Sequence, residues 1–156
     1  MPLPEVKTIL CATSLSDHTR PVFQHAISLA KLHKAKLVML HVLKPLSERS
    51  LMAIQSYLSE SDVKKLQSVA NQETKDKMKK RLSDFYQDEI TEIESLEIEQ
   101  LVVKGLSSYA IVEQANKLDA GIIVMGSHNK FGRSSSTTRK VIKYSGRPIF
   151  VVPTDG

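Results

Sequence analysis

The sequence predicts an α/β fold, an open and mostly parallel sheet with helices on both faces, in three layers. Two patterns carry this. Continuous apolar, β-branched-rich runs of strand length recur along the chain, and the segments between them return apolar residues every three or four positions. That alternation is the βαβ signature, and strands that are apolar at every position are what a sheet covered on both faces requires. Size and composition agree: 156 residues, 41% hydrophobic and 25% charged, suit one globular domain of about 150 residues, here spanning 1–156. The same figures exclude a disordered chain or a fibrous repeat. The longest apolar stretches fall well short of the roughly 18 to 20 residues of a membrane helix. The opening Met1-Pro2-Leu3-Pro4-Glu5 lacks the basic head and apolar run of a secretory leader, so a cytoplasmic protein is expected. Cys11 is the only cysteine and cannot form an intramolecular disulfide.

Taken in order, residues 6–13 (VKTILCAT) read as a strand, and the cluster Ser14-Leu15-Ser16-Asp17 suits a turn and helix cap. From 18 to 33, Val22, Phe23, Ala26, Ile27, Leu29 and Ala30 mark one buried helical face, with Pro21 fitting only in the first turn. Residues 37–43 (LVMLHVL) form a second strand, which Pro45 follows. Between 44 and 61, Leu51, Met52, Ile54, Tyr57 and Leu58 suggest a short helix or a folded-over lid. Val63, Leu66, Ala70, Met78, Leu82 and Phe85 then predict a long amphipathic helix. Its Lys77-Met78-Lys79-Lys80-Arg81 cluster is flanked by Asp76 and Asp84 and reads as a solvated face. Residues 96–103 are a third strand, broken at Gly105. Ser107 or Ser108 can cap a helix carrying Ile111, Val112, Ala115 and Leu118. Residues 122–125 (IIVM) are a fourth strand ending at Gly126, 138–144 a short helix, and 149–152 (IFVV), between Pro148 and Pro153, a fifth strand.

Ligands of such sheets bind beyond the carboxyl ends of the strands, where the strand order reverses. The segments to watch are therefore 14–17, the region after Leu43, the Gly105 turn and 126–137. The last runs from Gly126-Ser127-His128-Asn129 to Ser134-Ser135-Ser136-Thr137-Thr138 and places hydroxyls at a helix start. Unpaired N–H groups and the dipole there favour a phosphate. The plainer reading is a Ser-rich loop with ordinary capping. Charge leans the same way as the phosphate reading. The net charge is +5, and 120–154 holds Lys130, Arg133, Arg139, Lys140, Lys143 and Arg147 without a carboxylate, whereas 89–103 holds five glutamates and no cation. The later stretch should favour an anion.

Other chemistries find no support. The chain has no GxGxxG in the first turn, no GxxxxGK[ST], and no HxxH or CxxC pair, so no metal site is expected. His18, His25, His33 and His41 fall on helix and strand positions where an imidazole is usually satisfied or solvated, and His128 alone falls at the expected ligand end. Cys11, inside an apolar strand, reads as an inert core thiol. No serine has a recognisable base.

Taken together, 7–13, 26–31 leading into 35–42, 120–127 and the closing 147–153 resemble the universal stress protein family over nearly the whole chain. The resemblance implies a five-stranded parallel sheet of the adenine nucleotide alpha hydrolase-like kind. It also implies a homodimer joined through the last strand, 149–152, and in many members an ATP or AMP site. Binding members carry G-x2-G-x9-G-[ST]. Here Gly126 matches the first glycine, Asn129 stands at the second, and Ser135-Ser136 stand at the final pair with about four residues fewer between. The acidic residue that usually ends the first strand aligns with Ser14. The resemblance thus places Gly126, Ser127, His128, Asn129, Ser135, Ser136 and Thr137 near phosphate, and Ser14 and the backbone of Val42 near the nucleoside. It implies a non-catalytic stress or regulatory factor, with at most slow ATP hydrolysis. The competing expectation is a nucleotide-independent interaction module whose basic face meets nucleic acid or an acidic partner. With four Phe, four Tyr and no Trp, base stacking has little support and nucleic acid is the less expected partner.

Overall fold

In the computed structural model the elements follow in the order β1 (Thr8–Ala12), α1 (Arg20–His33), β2 (Lys36–Leu43), α2 (Glu48–Gln55), α3 (Glu60–Ile93), β3 (Ile98–Lys104), α4 (Ser107–Leu118), β4 (Ile122–His128), α5 (Ser136–Ser145) and β5 (Ile149–Thr154). The structure describes residues 2–13, 20–43, 47–93, 95–128 and 136–154. All five strands are parallel, in the order β3-β2-β1-β4-β5.

Strand alternation explains the continuous apolar runs. Ile9 and Cys11, Leu37 and Met39, and Val124 point to one face, where Val22, Phe23, Ala26, Ile27 and Ala30 of α1 and Met78 of α3 cover them. Leu10, Val38, Leu40, Ile123 and Met125 point to the other, under Ile111 and Ala115 of α4 and Val141 of α5. The chain first builds outward from β1 to β2 and β3, then crosses back to add β4 and β5 on the other side of β1. Right-handed crossovers place helices on opposite faces when the direction of travel reverses. This is why α1 and α3 share one face and α4 and α5 the other.

Several elements differ from expectation for identifiable reasons. β4 runs past Gly126 to His128, and β5 runs through Pro153 to Thr154. The proline is tolerated because Pro148 C=O accepts from Ile123 N–H. Alternation then turns the even-numbered backbone groups of β5 toward β4, and Pro153, lacking an N–H, faces the free edge. α4 starts one residue earlier than a serine cap would give. Leu106 holds the extended N-cap conformation with no side-chain cap, and Ser107 and Ser108 are already helical. Gly105 sets this turn, with φ 155° and its N–H on Leu43 C=O at 2.9 Å. The stretch after Leu43, read as a short helix or a folded-over lid, contains the short helix α2, capped by Ser47 Oγ accepting from Ser50 N–H. In α3, Val63 and Met78 are buried as expected, whereas Leu66 and Ala70 are exposed. The side chains of Leu82 and Phe85 lie outside the described residues. No helix among the described residues is long and apolar enough to cross a membrane.

Candidate functional site

Three strands build the site. The last β1–β2 partners are Ala12 and Leu40, and the last β1–β4 partners are Ala12 and Met125. β2 continues three residues further, to Leu43, and β4 three further, to His128. The central strand is therefore shorter than both neighbours at its carboxyl end, leaving a notch where the strand order reverses. Thr13 forms its floor. It is buried, and its N–H donates to Leu40 C=O at 2.9 Å.

Hydrogen-bond parity identifies what faces the notch. In β2, Lys36 N–H reaches Lys7 C=O and Leu40 C=O receives Thr13 N–H, while Leu37 N–H goes to Glu97 C=O and Leu43 C=O receives Gly105 N–H. Even-numbered backbone groups thus point toward β1 and odd-numbered ones toward β3. Val42 is even, so its N–H and C=O are directed into the space above the end of β1. In β4, Ile123 N–H goes to β5, so the backbone of Gly126 and of His128 faces the notch from the other wall. Val42, half-buried, and the end of β4 thus stand on opposite sides of the end of β1.

The remaining candidates divide. Ser136 and Thr137 form the first turn of α5, exposed and half-buried respectively. That turn is held to the wall of the notch by Thr138, 1% exposed, whose Oγ1 donates to Gly126 C=O at 3.4 Å. Ser127 is buried. By alternation its side chain lies on the α4/α5 face, and its carbonyl accepts from Thr154 Oγ1 at 3.2 Å. Ser14, Asn129 and Ser135 lie outside the described residues, as does the side chain of His128. Gly126 has a packing role that the motif did not foretell. A Cβ there would meet Val22 Cγ2 at 3.0 Å and Thr154 Cγ2 at 3.3 Å, so glycine lets α1 close onto the sheet.

Two electrostatic expectations change. Arg147 does not serve the notch: it precedes β5 at the opposite end of the sheet. There it contacts Asp119 Oδ1 at 3.0 Å, Ala120 C=O at 2.9 Å and Asn116 Oδ1 at 3.2 Å, tying the end of α4 to the start of β4. Arg139, Lys140 and Lys143 are exposed on α5, and Lys130 and Arg133 lie outside the described residues. His128 is also not alone at the ligand end. His41 is there too, its Nδ1 2.9 Å from Thr13 C=O. A carbonyl only accepts, so Nδ1 carries the proton. A polar ring near the carboxyl end of an otherwise apolar strand was the signal that could have found it. Cys11 is fully buried and its thiol is pushed up to about 12 by desolvation, which keeps it protonated and inert. Among the described residues no cluster of three or more His, Cys, Asp or Glu could hold a metal ion.

Against known proteins, the chain is 25% identical over 154 residues to universal stress protein MJ0577 of Methanocaldococcus jannaschii, covering 94% of each. The solved structure of MJ0577 superposes with a TM-score of 0.69 over 98% of this chain and 99% of that one. Universal stress protein UspA from Lactobacillus plantarum shares the fold at 20% identity and a TM-score of 0.70, over 96% and 99% of the two chains. A universal stress protein from Archaeoglobus fulgidus, solved in complex with dAMP, shares it at 22% identity and 0.57, over 94% and 96%. With residues 5–153 matching the family model, the chain belongs to the universal stress protein family.

Proposed function

We propose that this protein is a non-catalytic stress-response or regulatory factor that binds an adenine nucleotide, ATP or AMP, in the notch above β1, and acts as a homodimer joined through β5. The observation that carries the reading is the notch itself. By strand parity the backbone groups of Val42 and of His128 are directed toward the end of β1 from its two sides, and the hydroxyl-bearing first turn of α5 is tied to β4 through Thr138. The adenine ring would take the backbone of Val42 beside Ser14. The phosphates would take Gly126, Ser127, His128, Asn129, Ser135, Ser136 and Thr137, where helix-start N–H groups favour an anion. The dAMP complex of the Archaeoglobus relative supports the choice of adenine.

Isothermal titration with ATP and AMP at millimolar ligand tests the site. Saturable heat is expected from at least one of them, and no heat beyond buffer mismatch overturns it. Light scattering tests the dimer, and a monomeric mass across micromolar concentrations overturns it. One observation favours a second reading, an interaction module. Arg139, Lys140 and Lys143 are exposed on a helix that carries no carboxylate, so a salt-dependent mobility shift with nucleic acid and no nucleotide heat would select that module instead.

A further inference from the structure

We infer that His41 is a positioning residue of this site, one whose imidazole ends the β1–β2 ladder early so that the backbone of Val42 is left available to a ligand. The inference rests on the nucleotide reading for its use and on the fold alone for its geometry.

Along β2 each even-numbered residue exchanges backbone hydrogen bonds with β1. After Thr13 N–H to Leu40 C=O, the next rung of a regular parallel ladder would carry Val42 N–H to Thr13 C=O. That carbonyl is engaged by His41 Nδ1–H at 2.9 Å. His41 is well placed to do this. It lies one residue beyond the last β1–β2 partners, and alternation puts its side chain on the α1 side of the sheet with Leu37 and Met39, so the ring reaches Thr13 over the end of the shorter strand. An imidazole is a directional donor that satisfies the buried carbonyl. A regular rung would satisfy it equally well but would consume the Val42 amide. The side chain thus replaces a backbone donor at the one place where the sheet needs an unspent N–H. By holding Thr13 it also fixes the point from which the chain departs toward Ser14.

Amide hydrogen exchange and nucleotide titration test this together. In the wild-type protein the Val42 amide is expected to exchange at least about tenfold faster than that of Leu40, since one hydrogen bond is worth about tenfold in such an equilibrium. In His41→Leu the ladder closes over Thr13 and Val42 becomes protected by about tenfold. In His41→Asn, whose Nδ2–H can stand in for Nδ1–H, exchange stays near wild type. Nucleotide affinity is expected to fall about tenfold in His41→Leu and to recover in His41→Asn. A Val42 amide already protected in the wild-type protein overturns the inference without any variant. So does a His41→Leu protein whose Val42 exchange is unchanged, or a His41→Asn protein that behaves like His41→Leu. If the wild-type protein binds no nucleotide while Val42 exchange follows the expected pattern, the nucleotide reading fails and the role of His41 in ending the ladder stands.

Discussion

β3 and β5 border the same sheet and are finished in opposite ways. Along β3, Glu99 and Lys104 are exposed, and Lys36 from the neighbouring strand reaches Glu99 at 2.7 Å and Glu97 at 3.8 Å. A charged border of this kind disfavours pairing with another chain. β5 has no charged residue between Ile149 and Thr154, and Phe150 and Val151 remain 38% and 37% exposed. Phe150 is partly sheltered by the ring of His25, centroids 5.4 Å apart. The contrast teaches that unpaired backbone does not by itself make an interface. The side chains that border it decide whether a strand repels a neighbour or accepts one.

The most direct way to break the contrast is to move charge from one border to the other. If β5 joins the proposed homodimer, Val151→Lys should raise its dissociation constant at least about 100-fold, because an unpaired charge buried in an interface costs several kcal/mol. Gln100→Lys on β3 should leave the mass unchanged. Sedimentation across a concentration series reads both, and equal behaviour of the two variants would dissolve the distinction. A smaller effect is expected where β4 supports β5. Gly126→Ala forces a methyl against Val22 and Thr154 and should destabilise the fold by about 1 to 3 kcal/mol in urea denaturation. Unchanged stability there would restore ligand approach as the whole reason for this glycine. The smallest effect lies on the charged border. The hydrogen bond to Glu99, aided by the charges of Glu99 and Glu97 against some desolvation, raises the pKa of Lys36. The stability this contributes is complete below the ordinary lysine value of about 10.4 and is lost as pH rises through the higher folded-state value. Glu99→Gln should therefore lower stability slightly at neutral pH and flatten the alkaline limb of a pH–stability profile. An unaltered limb would remove Lys36 from the account.

Most of the fold was legible because burial on both faces leaves an unmistakable run, as in 37–43. The carboxyl ends of the strands were marked as the ligand side by the parallel sheet alone, but which strand end lies at the order reversal required the strand order β3-β2-β1-β4-β5. What could not be read were properties of pairs. That His41 overhangs Thr13 depends on β1 ending sooner than β2, and neither strand's own residues state the length of the other. Arg147 shows its charge in the sequence but not which end of the sheet it occupies. The apolar positions Leu66 and Ala70 have the right spacing for a buried face, yet periodicity describes a helix about its own axis and is silent on which turns have anything beneath them. The glycine at 126 fitted a phosphate motif, and only the closeness of Val22 reveals that a side chain there would also press on α1.

The length of α3 has one more consequence. Its 34 residues make a rod of about 51 Å at 1.5 Å per residue, about twice the span of the eight-residue β2. Between Val63 and Met78 none of its residues is buried. Those turns are kept helical by their own backbone and by side-chain pairs such as Gln72 Nε2 donating to Asp76 Oδ1 at 3.1 Å, each worth only a few tenths of a kcal/mol. These turns are expected to open more readily than the sheet, so proteolysis should cut there while the strands stay shut.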